Sequence, residues 1–149
     1  MIAIGSDHGG FELKEEIKKY LTAKGVEFRD FGTHDASSCD YPDIASTVCR
    51  SVTAGECRLA ILLCGTGIGI SIAANKIKGI RAACCSDYFS AKYTRLRNNA
   101  NVLCMGGRVV GAGLACELVD VFLKSEFEGG RHALRVGKIT DLENEAGLE

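Results

Sequence analysis

The stretch from Leu59 to Lys76 constrains the fold of this 149-residue chain more than any other. It opens with the apolar run Leu59–Leu63, which has the length of a strand buried on both faces. Glycines follow at positions 65, 67 and 69, where the backbone can turn tightly and approach a ligand closely. Ile70–Lys76 then has the composition of a helix start, so the sequence predicts strand, glycine turn and helix. Cys64 stands at the carboxyl end of the strand, where open α/β sheets bind their ligands.

Four interpretations are open for residues 64–69, here called the glycine loop. It can be a tight turn without a ligand. A dinucleotide site is a second possibility, although the glycines run G-x-G-x-G and Asp87 follows the next strand in the wrong context for a ribose-binding acid. A P-loop is excluded, because Ile70 and Ser71 follow the last glycine instead of Lys and Ser or Thr. The fourth is a loop that stabilises an oxyanion on a small substrate, with Cys64 as the acid/base.

The composition is that of an ordinary globular protein, with 46% hydrophobic and 25% charged residues. A net charge of −1 gives no reason to expect nucleic acid or an anionic membrane as a partner. No apolar run approaches the roughly 20 residues of a membrane span, and the first residues do not form a signal peptide. We therefore expect one domain over residues 1–149, located in the cytoplasm.

Eight cysteines are a high count for this length. A secreted disulfide framework is one explanation. However, Cys84, Cys85 and Cys104 lie in apolar runs and Cys116 in a helix pattern, which favours buried free thiols. There is no C-x-x-C pair, so we expect no structural metal site.

Apolar runs alternate with helical patterns along the whole chain, which predicts an α/β domain around a parallel sheet. The predicted strands are Met1–Gly5, Val26–Phe31, Leu59–Leu63, Ile80–Cys85 and Val102–Met105. Helices are predicted from Phe11 to a cap at Gly25, over Asp43–Thr53, from Ile70, over Asp87–Leu96, around Leu114–Phe122 and over His132–Glu143.

Asp7 and His8 follow the first strand, at the same edge of the sheet as Cys64, so the two turns can face one crevice. Asp7 can tune the protonation of His8, or it can simply cap the next helix. Cys64 precedes a helix, whose dipole favours the thiolate form. Thr66 can hydrogen-bond the thiolate or a substrate oxygen, or serve only the local turn.

Several arginines are candidates for binding a phosphate. Arg131 and Arg135 are four residues apart, so on a helix they share one face and can clamp a single phosphate. Arg97, next to Asn98, and Arg108, after two glycines, are further candidates. The alternative for each of them is a solvated surface arginine.

Six motifs occur together and in order, and they give the chain a family resemblance. The set resembles the type B ribose-5-phosphate isomerases, which are grouped with the galactose-6-phosphate isomerase subunits, over essentially the full length. The motifs are Gly5-Ser-Asp-His-Gly-Gly10, Asp40-Tyr41-Pro42, Cys64–Lys76, Asn98–Leu103, Gly107–Gly111 and Glu128-Gly-Gly-Arg-His132.

This resemblance implies a Rossmann-like αβα sandwich around a five-stranded parallel sheet with a C-terminal helix. It also implies a homodimer or dimer of dimers with active sites at the subunit interface. The implied reaction is interconversion of ribose 5-phosphate and ribulose 5-phosphate through a cis-enediolate, without metal or cofactor. Cys64 is then the base, and the N–H groups of Gly65, Thr66, Gly67, Ile68 and Gly69 hold the enediolate oxygens. Sugar contacts are implied for Asp7, His8, Tyr41 and Asn98, and phosphate contacts for His8, Arg108, Arg131 and Arg135.

The chain departs from the family pattern at Arg97, where well-studied members often carry a histidine proposed to open the sugar ring. Arginine stays protonated and is a poor proton shuttle. We therefore expect that His8 or Asp7 opens the ring, or that the enzyme takes open-chain substrate. The departure leaves three alternatives open: six-carbon sugar phosphates such as galactose 6-phosphate, free aldoses such as allose, and a phosphosugar-binding module without catalysis.

Overall fold

The computed structural model describes residues 1–147, in which strands alternate with helices until two consecutive helices end the described chain. The strands are β1 (Ile2–Ser6), β2 (Phe28–Asp30), β3 (Leu59–Cys64), β4 (Ala82–Cys84) and β5 (Val102–Gly106). The helices are α1 (Phe11–Ala23), α2 (Tyr41–Thr53), α3 (Ile68–Ala74), α4 (Tyr88–Asn98), α5 (Ala112–Lys124) and α6 (Arg131–Ala146).

All five strands form one parallel sheet, as the sequence predicts. The order of the strands in this sheet is β2-β1-β3-β5-β4. β1, β3 and β5 occupy the middle of the sheet and are buried along their entire length, because helices cover both faces. After β1 the chain continues to β2 at one end of the strand order, whereas after β3 it continues to β4 at the other end. The carboxyl ends of β1 and β3 therefore flank the crevice in which sheets of this kind bind ligands.

Two apolar clusters, one on each face of the sheet, form the core. One cluster packs α1, α4 and α5 against the sheet through residues such as Ile17 and Phe122. The other packs α2 and α3 against the opposite face through residues such as Val48 and Ile70. The predicted αβα sandwich is thus confirmed, and the C-terminal helix α6 packs outside it against α4.

Helix boundaries near the glycine loop differ from those predicted. α3 begins at Ile68 instead of Ile70, because Gly67 already supplies the left-handed turn (φ 81°) that precedes the helix. α2 begins at Tyr41 instead of Asp43, with Pro42 in its first turn, where a missing N–H costs nothing. Both shifts bring helix starts closer to the crevice.

The expectation of buried thiols is correct for Cys85 and Cys104 but wrong for two other cysteines. Cys84 is exposed, because it is the last residue of the edge strand β4, and Cys116 is half-buried on α5. All eight cysteines are free. Within residues 1–147, no helix is both long enough and apolar enough to span a bilayer.

Candidate active site

The two turns that the sequence places at one edge of the sheet do meet in the structure. The turn after β1 packs on the glycine loop so tightly that a Cβ on Gly9 would lie 3.0 Å from the backbone nitrogen of Gly65. The N–H of Asp7 donates to the carbonyl of Leu63 (3.2 Å), which fixes the two turns in register. A third turn, after β5, joins them, because Gly107 donates to the carbonyl of Cys64 (2.8 Å).

The glycine loop wraps around the sulfur of Cys64. This side chain is buried (5% exposed), and its Sγ accepts a hydrogen bond from the Gly67 N–H at 3.1 Å. Gly67 is required there: its φ is +81°, and a Cβ would lie 2.7 Å from the Met105 carbonyl carbon. An N–H donated to the sulfur stabilises negative charge on it.

Three backbone N–H groups of the glycine loop lack an acceptor. Among the described residues, no oxygen accepts from the N–H of Gly65, Thr66 or Gly69. The Thr66 hydroxyl oxygen accepts from the Ile68 N–H (3.2 Å), which leaves its own proton available. The loop thus offers several donors beside one sulfur, an arrangement suited to a substrate that develops negative charge on oxygen.

Asp7 and His8 form the opposite wall. Asp7 is buried (6% exposed) and its Oδ1 accepts from the N–H groups of Gly9 (2.9 Å) and Gly10 (3.2 Å). Asp7 therefore stabilises the local turn, and among the described residues it makes no hydrogen bond to His8. The half-buried ring of His8 is held from the other side, where its Nδ1 accepts from the Cys39 N–H (3.3 Å).

Tyr41 closes the crevice from the start of α2. Its ring lies over Gly69, where a Cβ would come within 2.8 Å of the ring carbon Cζ. Tyr41, Asp7 and His8 line an open cleft of about 590 Å³, here called the site cleft. Its size and its polar walls suit a small hydrophilic molecule.

Arg108 brings positive charge to the same place. It follows β5, and its guanidinium lies alongside Gly65, with Nη1 3.2 Å from the position of a Cβ on that glycine. Of the four predicted phosphate-binding residues, this structure brings Arg108 and His8 to the crevice.

Four predicted site residues lie at the other edge of the sheet. Arg97 and Asn98 end α4, just before the amino end of β5. The backbone N–H of Glu128 donates to the carbonyl of Leu96 in the same helix (2.9 Å). That bond sets the start of α6, with Arg131 and Arg135, beside the end of α4. The length of β3, roughly 16 Å at 3.3 Å per residue, separates this edge from Cys64.

A larger cavity of about 880 Å³ lies at this amino-end edge, where Asn98, Arg81 and Glu143 are among the residues that line it. It is nevertheless remote from the glycine loop of its own chain. We place the chemistry beside the smaller site cleft, because the turn of Asp7 and His8 and the ring of Tyr41, which line it, pack on the glycine loop that carries the sulfur and the unpaired N–H groups. Arg108 packs on the same loop.

Sequence reasoning missed two contacts. The Cys39 N–H that holds His8 is a backbone group of a polar loop, and no side-chain pattern marks it. The thiol of the exposed Cys84 donates to the carbonyl of Thr66 in the glycine loop, with 3.7 Å between the sulfur and the oxygen. Desolvation of its sulfur, and then the proximity of Cys64, raise the pKa of the Cys84 thiol. Residues 1–147 contain no cluster of three or more His, Cys, Asp or Glu arranged to hold a metal ion.

Comparison with known proteins finds relatives that match this chain over nearly its whole length. The sequence model of the ribose/galactose isomerase family matches residues 2–139. Ribose-5-phosphate isomerase B of Escherichia coli is 52% identical over 142 residues, which cover 95% of either chain. D-erythrulose-4-phosphate isomerase of Pectobacterium atrosepticum is 46% identical over 93% of this chain and 91% of the relative. The structure of Clostridium thermocellum ribose-5-phosphate isomerase B superposes with a TM-score of 0.96 and 54% identity, covering 97% of this chain and 98% of the other.

Proposed function

The chain belongs to the ribose/galactose isomerase family, and from that premise we propose that it interconverts ribose 5-phosphate and ribulose 5-phosphate. The observation that carries the proposal is the buried Cys64 sulfur wrapped by a loop with unpaired N–H donors. Relatives that are about half identical over nearly their whole length are named for this activity, which supports the choice of substrate.

In the proposed mechanism, the Cys64 thiolate takes the proton from C2 of the open-chain aldose and returns it to C1. The electron pair left at C2 forms the carbon–carbon double bond of a cis-enediolate, and the negative charge moves to the former carbonyl oxygen. The N–H groups of Gly65, Thr66 and Gly69 stabilise that oxygen, each worth about 10²–10³ in rate. As C1 takes back the proton, the hydroxyl on C2 loses its proton and becomes the ketone, while the oxygen on C1 gains a proton. The Thr66 hydroxyl, which can donate to one of these oxygens and accept from the other, carries this exchange.

The route needs no metal ion, because the backbone donors supply the stabilisation of charge that a Lewis acid supplies elsewhere. Arg108 and His8 bind the phosphate end, and their binding energy positions the reacting carbons. A cytoplasmic location is part of the proposal, since free thiols such as the eight of this chain stay reduced there.

We further propose a homodimer, or a dimer of such dimers, in which Arg97, Asn98, Arg131 and Arg135 of one chain complete the site cleft of the other. Two observations support it. These residues lie at the wrong edge of the sheet to serve their own chain. Large apolar side chains are also exposed at both edges, namely Ile68 (55%) and Ile72 (58%) on α3 and Leu134 (66%) and Leu142 (64%) on α6.

Initial rates with ribose 5-phosphate in EDTA, for wild type, Cys64→Ala and Cys57→Ala, test the chemistry. Cys57 is a matched control, because it is equally buried (3% exposed) and precedes the amino end of β3. Turnover should survive chelation, persist in Cys57→Ala and fall at least about 10²-fold in Cys64→Ala, with binding measured by calorimetry retained. A Cys64→Ala enzyme as fast as the control would remove the sulfur from the mechanism.

The same assay separates the alternative substrates and the binding module. Wild type that turns over galactose 6-phosphate, erythrulose 4-phosphate or free allose faster than ribose 5-phosphate would reassign the substrate while keeping the chemistry. Binding of ribose 5-phosphate without turnover of any of these sugars would instead identify a phosphosugar sensor.

Mixed dimers test whether two chains share each site. In a dimer that carries one Cys64→Ala chain and one Arg131→Ala chain, one site holds both changes and the other holds none. Such dimers, purified with two affinity tags, should recover about half of the wild-type rate. If each site were built from one chain, both sites would be impaired and no activity would return.

A further inference from the structure

The side chain of Lys14 on α1 is among the largest in the described structure that are fully buried (0% exposed), and it is the charged one of that group. Its ammonium group donates to both carboxylate oxygens of Asp30 (2.8 and 2.7 Å) and to the carbonyl of Thr33 (2.5 Å). These bonds use all three of its protons. A buried ion pair of this kind often adds little stability over an apolar replacement, so stability alone does not account for it.

The bonds of Lys14 lead directly to the site. Asp30 also accepts from the Gly32 N–H (2.8 Å), and burial of its carboxyl, which alone would raise its pKa, is outweighed by these donors, which hold the pKa below its usual range. The Gly32 carbonyl in turn accepts from the Ser6 N–H (2.7 Å), and the Thr33 N–H donates to the Ser6 carbonyl (2.6 Å). Ser6 is the last residue of β1, and Asp7 and His8 follow it.

The segment that Lys14 holds also reaches His8 from the other side. Residues 34–38 connect Thr33 to Cys39, whose N–H donates to Nδ1 of His8. An imidazole nitrogen that accepts a hydrogen bond carries no proton, so the neutral His8 ring carries its proton on Nε2. The ring therefore presents an N–H, not a lone pair, to a ligand in the site cleft.

We propose that Lys14 is a positioning residue: by holding Asp30 and the Thr33 carbonyl, it fixes the segment that bonds His8 and keeps the proton of His8 on Nε2, facing the substrate. An apolar side chain of the same size would fill the space but would leave the Thr33 carbonyl without its donor. The part of the proposal that concerns the substrate rests on the proposed isomerase function, whereas the part that concerns the His8 proton does not.

The experiment compares Lys14→Met with Lys18→Met. Lys18 is a matched control, because it also binds Asp30 (2.9 Å to Oδ2) but does not reach Thr33. Nitrogen-15 NMR of the imidazole, at a pH where the ring is neutral and without substrate, reports which nitrogen carries the proton. We expect a proton on Nε2 in wild type and in Lys18→Met, and a mixture of both tautomers in Lys14→Met.

The kinetic readout uses ribose 5-phosphate well below the unfolding temperature of each variant. We expect kcat/KM to fall about 10- to 100-fold in Lys14→Met, the loss typical of a displaced site residue, and to stay within twofold of wild type in Lys18→Met. Should Lys14→Met fail to fold, Cys39→Pro removes the donor to His8 while leaving Lys14 in place, and it should give the same mixed tautomers.

Two results would overturn the proposal. In one, Lys14→Met keeps both the wild-type His8 spectrum and the wild-type kcat/KM, whatever its stability. In the other, Lys18→Met alters the spectrum as strongly as Lys14→Met, so that the shared ion pair with Asp30 is merely structural. A wild-type protein that turns over no ribose 5-phosphate would count against the proposed function alone, since the NMR comparison would still decide the role of Lys14.

Discussion

Replacing Gly69 by Ala should damage activity without damaging the fold. Gly69 is the second residue of α3, and a Cβ there would lie 2.8 Å from Cζ and 3.0 Å from the hydroxyl oxygen of Tyr41. Carbon atoms rest about 3.5–4.0 Å apart, so the ring has to move by about 0.7 Å or more. Tyr41 is 38% exposed, which leaves it room to swing outward into solvent.

The two consequences have different sizes. Alanine is favoured over glycine inside a helix by about 1 kcal/mol, which offsets the cost of moving an exposed ring, so the free energy of unfolding should change by less than about 1 kcal/mol. If Tyr41 contacts the sugar, as the family resemblance implies, displacing it by this distance costs up to about 10²-fold in rate, so kcat/KM for ribose 5-phosphate should fall about 10- to 100-fold. Urea unfolding and initial rates on the same preparation measure both.

Gly113→Ala provides the control. Gly113 is likewise the second residue of its helix, α5, but a Cβ there would meet nothing within 4 Å. The Gly113→Ala variant should be at least as stable as wild type and fully active. If Gly69→Ala kept the kcat/KM of Gly113→Ala, the position of Tyr41 would be irrelevant to the reaction. If it instead lost more than about 2 kcal/mol of stability, the view of Tyr41 as free to move would be wrong.

Two further predictions concern stability. Gly67→Ala should lower the free energy of unfolding by more than about 2 kcal/mol, whereas the control Gly55→Ala should lower it by about 1 kcal/mol. Both glycines have φ near +80° (81° and 80°), but only at Gly67 would a Cβ lie within 3 Å of other backbone atoms. Equal losses in urea unfolding would refute the close approach at Gly67. Burial raises the pKa of the Cys49 thiol to about 12 in the folded protein, so this thiol ionises at a lower pH in the unfolded chain than in the folded one. The free energy of unfolding therefore falls as pH rises above about 9, by up to about 1.4 kcal/mol per pH unit. Cys49→Ala should flatten the fall in Tm between about pH 9 and pH 11, and an unchanged slope would contradict the prediction.

Local pattern was sufficient to predict the sheet and one wall of the site. Apolar runs of strand length separated by helical periods define a parallel α/β sheet, and the rule that carboxyl ends share an edge brings His8 and Cys64 together. Gly67 was identifiable as a turn residue for the same reason, since few other residues adopt its backbone conformation. The exposure of Cys84 was not predictable, because the sequence does not say which strand lies at the edge of the sheet.

The contacts of His8 lay beyond the reach of sequence for a different physical reason. Cys39 donates through its backbone, which every non-proline residue possesses, so nothing in the sequence distinguishes it. In the sequence, Lys14 is one of several lysines in the helix predicted from Phe11, and helical periodicity places such charged residues on the solvent-exposed face. The structure instead buries its side chain, and its Nζ bonds lie inside the protein. A lysine has enough methylene groups to reach across a helix surface to a buried carboxylate, and only the position of Asp30 decides that it does.

The position of Arg97 bears on how the sugar ring opens. A residue that opens the ring must accept or donate a proton at the ring oxygen and the anomeric hydroxyl, and an arginine, always charged, can donate but cannot accept. Within the described chain His8 offers a donor on Nε2, since Nδ1 is occupied by Cys39. Asp7 uses Oδ1 for the turn, and its Oδ2 accepts no hydrogen bond from the described residues. Asp7 as acceptor and His8 as donor would form a complete acid/base pair in one turn, and their adjacency would make a histidine at position 97 dispensable.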